Sequence, residues 1–293
     1  MAEKILLDTD IGSDIDDAVC LAYLLANPDC DLLGITTVSG QPVERARLAS
    51  ALCIASGHDE VPTFPGAAEP LRWPVRQGEA PQAAVLDQWP HRENFPEDRA
   101  VEFLAEAISD NPGEVTLLAI GPMTNVALLF ERHPETASLL KRVSLMIGRF
   151  GVEQIGARPG EWNAYCDPDA ARAVFGTKPN SLRAVGLDVT TKVRMDSSEV
   201  RERFATGPLR PVLDMAEVWF SNRELITFHD PLAAVTIFDT GVCTFERGTA
   251  SVETEDEAAL GLTRWQPGVD GPHEVGVGVD ADLFFGRYFE VFE

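Results

Sequence analysis

Apolar residues in this chain fall into short continuous runs, separated by stretches in which they recur every three or four positions. The first run contains Ile5-Leu6-Leu7, so residues 4–8 read as a strand. Residues 14–27 follow as a helix that stops at Asn27-Pro28. Leu32-Leu33-Gly34-Ile35-Thr36-Thr37-Val38 is continuous and β-branched, the pattern of a strand covered on both faces. Residues 43–56 read as the next helix. Val101, Leu104, Ala105 and Ile108 share one helical face, and Asn111-Pro112-Gly113 ends that helix. Residues 115–120 are a further buried strand, with Gly121-Pro122 opening the helix behind it, and strands over 143–147 and 182–187 continue the alternation. Strand–helix alternation predicts an α/β protein with a mainly parallel central sheet flanked by helices. Residues 65–96 and 149–161 are rich in Pro, Gly and charge and read as long functional loops, the first expected to be mobile. Residues 242–280 read as short strands and turns, and 281–291 as a final helix. Nothing repeats, so 1–293 is expected to form a single domain.

Composition narrows the function. The chain has 293 residues, 45% of them hydrophobic, enough for a large core. Lys+Arg 24 against Asp+Glu 47 gives a net charge of −23, which repels phosphate backbones and anionic membranes. No nucleic-acid or membrane partner is therefore expected. The five cysteines are scattered without paired spacing and read as reduced, mostly buried thiols rather than a disulfide frame or a zinc site. No signal-peptide pattern opens the sequence and no apolar run approaches the ~20 residues of a membrane helix, so a cytoplasmic protein is expected.

The chemistry concentrates behind the first strand. Asp8, Asp10, Asp14, Asp16 and Asp17 crowd five carboxylates into ten residues. Such groups repel one another and are costly to desolvate unless a cation sits among them. Oxygen-only ligands point to a hard ion, Ca²⁺ or Mg²⁺. A solvated acidic turn is the plain alternative. A helix-loop-helix calcium loop over residues 8–19 is excluded, because Ser13 and Val19 stand where Gly and Glu are required.

Four ordered motifs carry a resemblance. They are Asp8-Thr9-Asp10-Ile11-Gly12 with Asp16-Asp17-Ala18; Gly34-Ile35-Thr36-Thr37-Val38-Ser39-Gly40; Ile120-Gly121-Pro122-Met123-Thr124-Asn125; and Glu161-Trp162-Asn163, ahead of Asp167-Pro168, with His229-Asp230-Pro231. Together they resemble the inosine-uridine-preferring nucleoside hydrolase family across essentially the whole chain. The resemblance implies an open, Rossmann-like α/β fold and hydrolysis of a ribonucleoside to ribose and free base. It also implies a tightly held Ca²⁺, a small-molecule nucleoside substrate, and a homodimer or homotetramer. Residue by residue, it makes Asp10 both a metal ligand and the base that deprotonates water. Asp17, Asp230 and the main-chain carbonyl of Ile120 complete the metal ligands. Asp16, Asn163 and Glu161 match groups that hold the ribose, and His229 matches the residue that protonates the departing base. The chemistry requires such groups: the glycosidic bond breaks through an oxocarbenium-like state while an activated water attacks.

Some readings stay open. Asp8 is either part of the chemistry or a buried structural carboxylate bonded to loop amides. Asp230-Pro231 also reads as a helix start, with Asp as N-cap. Asn125 either touches substrate or braces its helix, and Trp162 is either a wall beside the sugar or core. The acidic motif is two residues longer than the family's, so Asp14 competes with Asp16 or Asp17 for a role. Gln41 replaces the family's usual Asn and is expected to reach the ribose. Gln77-Gly78-Glu79-Ala80-Pro81 stands where many members carry His-Gly near the base, and Arg149 where a Gly is usual. These departures leave room for a member that acts on another ribosyl compound or has lost activity. Asp8-Thr9-Asp10 also mimics a haloacid-dehalogenase-type phosphatase, in which the later motifs have no place.

Overall fold

The computed structural model describes residues 2–151 and 160–293; most of the loop expected over 149–161 therefore lies outside the described residues. The strands are β1 (Glu3–Thr9), β2 (Cys30–Thr37), β3 (Thr63–Pro65), β4 (Val115–Ala119), β5 (Arg142–Met146) and β6 (Leu182–Val185). They are followed by β7 (Arg194–Asp196), β8 (Leu225–Thr227), β9 (Cys243–Val252), β10 (Thr263–Pro267) and β11 (His273–Val279). Among the described residues, nine of them form one sheet in the order β10-β9-β11-β6-β5-β4-β1-β2-β3.

The central strands are parallel: Leu7 of β1 pairs with Ile35 of β2 on one side and Leu118 of β4 on the other. All of β4 and the last five residues of β1 are buried, which is why both read as unbroken apolar runs rather than alternating ones. Helices Asp16–Ala26 and His229–Phe238 pack against each other on one face of the sheet. Helices Ala100–Asp110, Thr124–Arg132 and Pro168–Gly176 bury their apolar faces on the other. The strand order runs outward in opposite directions from β1 and β4, so the loops after these two strands diverge and leave a crevice at their carboxyl ends.

Four segments differ from the sequence expectation. Residues 242–280 form a meander in which β9 is antiparallel to both β10 and β11, while β11 lies parallel to β6. The strand expected over 182–187 stops at Val185, and Leu187–Thr190 turns into a short helix. Strands β7 and β8 pair as a separate antiparallel sheet, too short to show any periodicity in sequence. The 65–96 stretch is pinned rather than loose. Residues Pro81–Gln88 form a 3₁₀ helix, Trp89 Nε1 donates to Asp214 Oδ2 at 3.2 Å, and Arg72 and Trp73 both donate to Asp169 at 2.9 Å. The five cysteines are free thiols, and no described helix is long and apolar enough to cross a membrane.

Candidate active site

The loop after β1 folds back on itself because Thr9 Oγ1 and the Asp10 amide both donate to Asp17 Oδ1, at 2.5 and 3.2 Å. That places Asp16 and Asp17 in the first helical turn, where the exposed amides and the helix dipole favour negative charge. Asp230 comes to the same spot from the first turn of helix His229–Phe238. Phe228, not Asp230, occupies the N-cap of that helix, so the capping expectation is corrected: the Asp230 carboxylate is left free to face the crevice. Oxygens of Asp16, Asp17 and Asp230 lie within 4.8 Å of one another, all buried. The Asp230 amide donates to Asp16 Oδ2 at 3.3 Å. Asp16, expected among the ribose contacts, thus stands inside the acidic trio, while Asp10 sits beside it.

Close approach of β4 completes the floor. A Cβ at Gly121 would lie 2.9 Å from both the Asp10 amide and its Oδ1, so only glycine lets the two strand ends meet. The Ile120 carbonyl faces the cavity and accepts from Asn163 Nδ2 at 2.7 Å; the same amide reaches Met146 O at 3.0 Å. Glu161 caps helix Trp162–Cys166, accepting from the amides of Asn163, Ala164 and Gly148 at 2.7–3.1 Å. It fixes Asn163 in place while lining the cavity itself.

The electrostatics of this floor are severe. Burial raises Asp10 and Asp14 to about 6, with Arg45 opposing the shift at Asp10. Asp16, Asp17 and Asp230 are pushed well above the usual carboxylate range, first by burial and then by the charge of neighbouring aspartates, Asp10 and Asp14 included. None of these five acids makes an ion pair among the described residues. Arg45, fully buried, is the cation whose charge acts on Asp10 and Asp17. Its guanidinium donates to the carbonyls of Asp10, Ile11, Ser39 and Glu79 rather than to a carboxylate. The donor set, all oxygen and all buried, fits a hard divalent ion.

The cavity above the floor holds about 950 Å³. Asp14 lines it, with its Oδ1 bound to the Ile15 amide. Trp162 also lines it and donates from Nε1 to Gln77 Oε1. Gln77 Nε2 in turn donates to Asp10 Oδ2. Gln41 is a correction: it is exposed, lies outside the lining residues, and accepts from the Ala80 amide at 3.0 Å, bracing the Gln77 loop instead of reaching inward. Arg149 is buried and is not among the lining residues. His229 lines the cavity with Nδ1 2.7 Å from Thr190 Oγ1. Burial, then the charge of Arg194, lower its ring to about 4, so it is uncharged at neutral pH.

Asp8 and Asn125 are structural. Asp8 accepts from Thr36 Oγ1 and from Asn125 Nδ2 (2.7 Å), side chains rather than the loop amides expected; burial raises it to about 7. Asn125 also bonds Thr37 O and the Ala67 amide, tying β1, β2 and the next loop together. Sequence reasoning missed Arg45, Arg194, Trp219 and Arg223, the last three of which line the cavity. Arg45 carried a signal: with Leu48, Ala49 and Leu52 it occupies the apolar face of its helix.

With this geometry in place, comparison with known proteins is decisive. The profile of the inosine-uridine preferring nucleoside hydrolase family matches residues 5–286. The chain belongs to that family. A probable uridine nucleosidase 2 from Oryza sativa subsp. japonica is 30% identical over 290 residues, covering 90% of this chain and 84% of the relative. The pyrimidine-specific ribonucleoside hydrolase RihA of Salmonella arizonae is 31% identical, covering 90% and 88%. A solved purine-preferring ribonucleoside hydrolase from Gardnerella vaginalis shares the fold, with a TM-score of 0.84 at 24% identity over 99% and 98% of the two chains. This nucleoside hydrolase is accordingly an N-glycosidase that hydrolyses ribonucleosides, and its acidic floor is the place where a metal would be held.

Proposed function

We propose that the enzyme cleaves the N-glycosidic bond with Ca²⁺ held by Asp10, Asp17, Asp230 and the Ile120 carbonyl. The observation that carries the reading is the convergence of Asp16, Asp17 and Asp230 oxygens within 4.8 Å, from segments 213 and 214 residues apart, with no counter-cation in ion-pair contact among the described residues. Carboxylates so placed are mutually destabilising unless a cation neutralises them. Bound there, the ion supplies a more acidic water and an anchor for a sugar diol. Asp10, at the edge of the trio, takes the water's proton. Asp16, Asn163 and Glu161 position the ribose hydroxyls beside the ion, and Trp162 walls the sugar. His229, uncharged, presents a ring N–H to the departing base while Thr190 fixes its tautomer.

The same proposal takes residues 1–293 as one catalytic domain and, on the family resemblance, a homodimer or homotetramer working in the cytoplasm; sedimentation and cell fractionation test these. Uridine is the first substrate to try, since two of the relatives are named for uridine or pyrimidine nucleosides. The test is a ribose-release screen over common nucleosides, before and after chelation and again after Ca²⁺ is restored. Release that depends on the ion and returns with Ca²⁺ is expected; full activity after complete stripping of divalent ions would overturn the metal.

A further inference from the structure

One group of cavity residues has no part in the scheme above. Arg194 and Arg223 line the same cavity as the acids, yet both are exposed where Asp10, Asp16, Asp17 and Asp230 are buried, so they stand at its mouth. Acids outnumber bases 47 to 24 in this chain, and many of its other arginines pair with a carboxylate. Among the described residues Arg194 and Arg223 make no ion pair. Local structure holds them there. Arg194 begins β7 and pairs in register with Thr227 of β8, two residues before His229. The Arg223 guanidinium lies 5.1 Å over the Trp219 ring, and Trp219 Nε1 is anchored to Leu225 O at 3.0 Å. The mini-sheet is thus a scaffold that keeps two arginines without a close ion pair on the cavity that the acids line, with Arg223 near enough to Asp14 to favour its charged form.

A ribose held at that floor must direct its base away from it, toward this mouth. Resting on the hydrolase reading above, we propose that Arg194 and Arg223 receive the leaving base as an anion, so that the enzyme favours nucleosides whose leaving ring nitrogen is acidic in the free base and conjugated with two carbonyls, of the uracil type. The C1′–N bond breaks with both electrons passing to the base nitrogen. The water oxygen bonds to C1′ and gives its proton to Asp10. The base anion, its nitrogen held by the His229 ring N–H and its charge spread onto carbonyl oxygens facing the guanidinium groups, later takes a proton from solvent, and Asp10 returns its own to solvent. Planar guanidinium groups suit such an oxygen-rich anion because they offer paired N–H donors. Cytosine, with an amino group in place of one carbonyl, is a weaker acid with one oxygen acceptor fewer, and adenine has no carbonyl acceptor at all.

The experiment uses the full chain with Ca²⁺ and the variants Arg194→Gln, Arg223→Gln and the pair. The double variant is expected to lose about thirtyfold in kcat/KM for uridine but only about threefold for cytidine, and to steepen the dependence of rate on leaving-group acidity across 5-substituted uridines. Binding gives a second reading without turnover: by calorimetry, the 5-nitrouracil anion should bind the parent at least tenfold more tightly than uracil, and the double variant should lose that preference. Equal losses for uridine and cytidine, or no preference for the anion in the parent, would reduce the arginines to solvated rim charges and overturn the proposal. A parent that releases no ribose from any nucleoside would instead sink the underlying hydrolase reading, which separates the two failures.

Discussion

The floor and the walls of the cavity are built by different means. Floor residues sit at the ends of β1 and β4 and in the first turns of two helices, positions dictated by where the strand order reverses. Wall residues come from the Arg76–Gln77–Gly78–Glu79 stretch, the short mini-sheet and the Trp219–Arg223 turn, which the sheet does not specify. Chemistry common to every substrate therefore belongs to the rigid part, and discrimination between bases to the part that loops can vary. Substitutions in the floor should scale all substrates alike, whereas substitutions in the walls should change ratios between them.

Asp10→Ala is the strongest blow to the floor. It should lower ribose release at saturating substrate by about 10³-fold, within the range general-base removal produces, and for every nucleoside equally. A loss below tenfold would remove Asp10 from that role. Asp230→Ala should weaken Ca²⁺ binding by about a hundredfold and abolish turnover together, measured by equilibrium dialysis and ribose release. Retained stoichiometric Ca²⁺ would place the ion elsewhere. His229→Ala sits on the border: it should cost inosine about a hundredfold and a nitrophenyl riboside under tenfold, because the latter's leaving group needs no assistance. Equal losses would return His229 to the floor.

Ion binding should also show in stability. Carboxyls whose folded pKa is raised favour the metal-free fold at low pH, and that contribution is lost as pH rises through about 6, where Asp10 and Asp14 ionise. Bound Ca²⁺ needs the ionised forms, so its effect has the opposite sign. Saturating Ca²⁺ should therefore raise the melting temperature by several degrees more at pH 7.5 than at pH 5.5; a larger rise at the acid end would contradict the site. The smallest effect is expected of Gln77→Ala, which removes wall hydrogen bonds to Asp10 and Trp162, about 1 kcal/mol, and should alter KM several-fold with a base-dependent pattern. A uniform fall in kcat would move Gln77 into the floor.

How far each region could be read in advance follows the same division. The strand expected over 4–8 is Glu3–Thr9, and the helix over 43–56 is Pro42–Ala55, because continuous apolar runs and helical spacing are strong signals. Asp10, Asp16, Asp17, Ile120, Asn163 and Asp230 stood in the ordered motifs that carry the family resemblance, and all six line one cavity. Gln41 and Gln77 were not separable, since both are amides in loops and only the fold reveals that Gln41 points at Ala80 while Gln77 reaches Asp10. Arg194 and Arg223 were invisible for a similar reason: three-residue strands leave no period, and an arginine without a partner looks like any other in sequence.

Arg45 has a practical consequence. One side chain in an interior helix clamps the peptide oxygens of Asp10 and Ile11 on one segment and of Glu79 on another. Engineers wishing to transplant a selectivity loop from a relative cannot treat it as an independent module: the graft must present an acceptor to that guanidinium at the same height. A mismatched insert would be transmitted through the clamp to Asp10, the proposed base, and retargeting would fail as lost turnover rather than as altered preference.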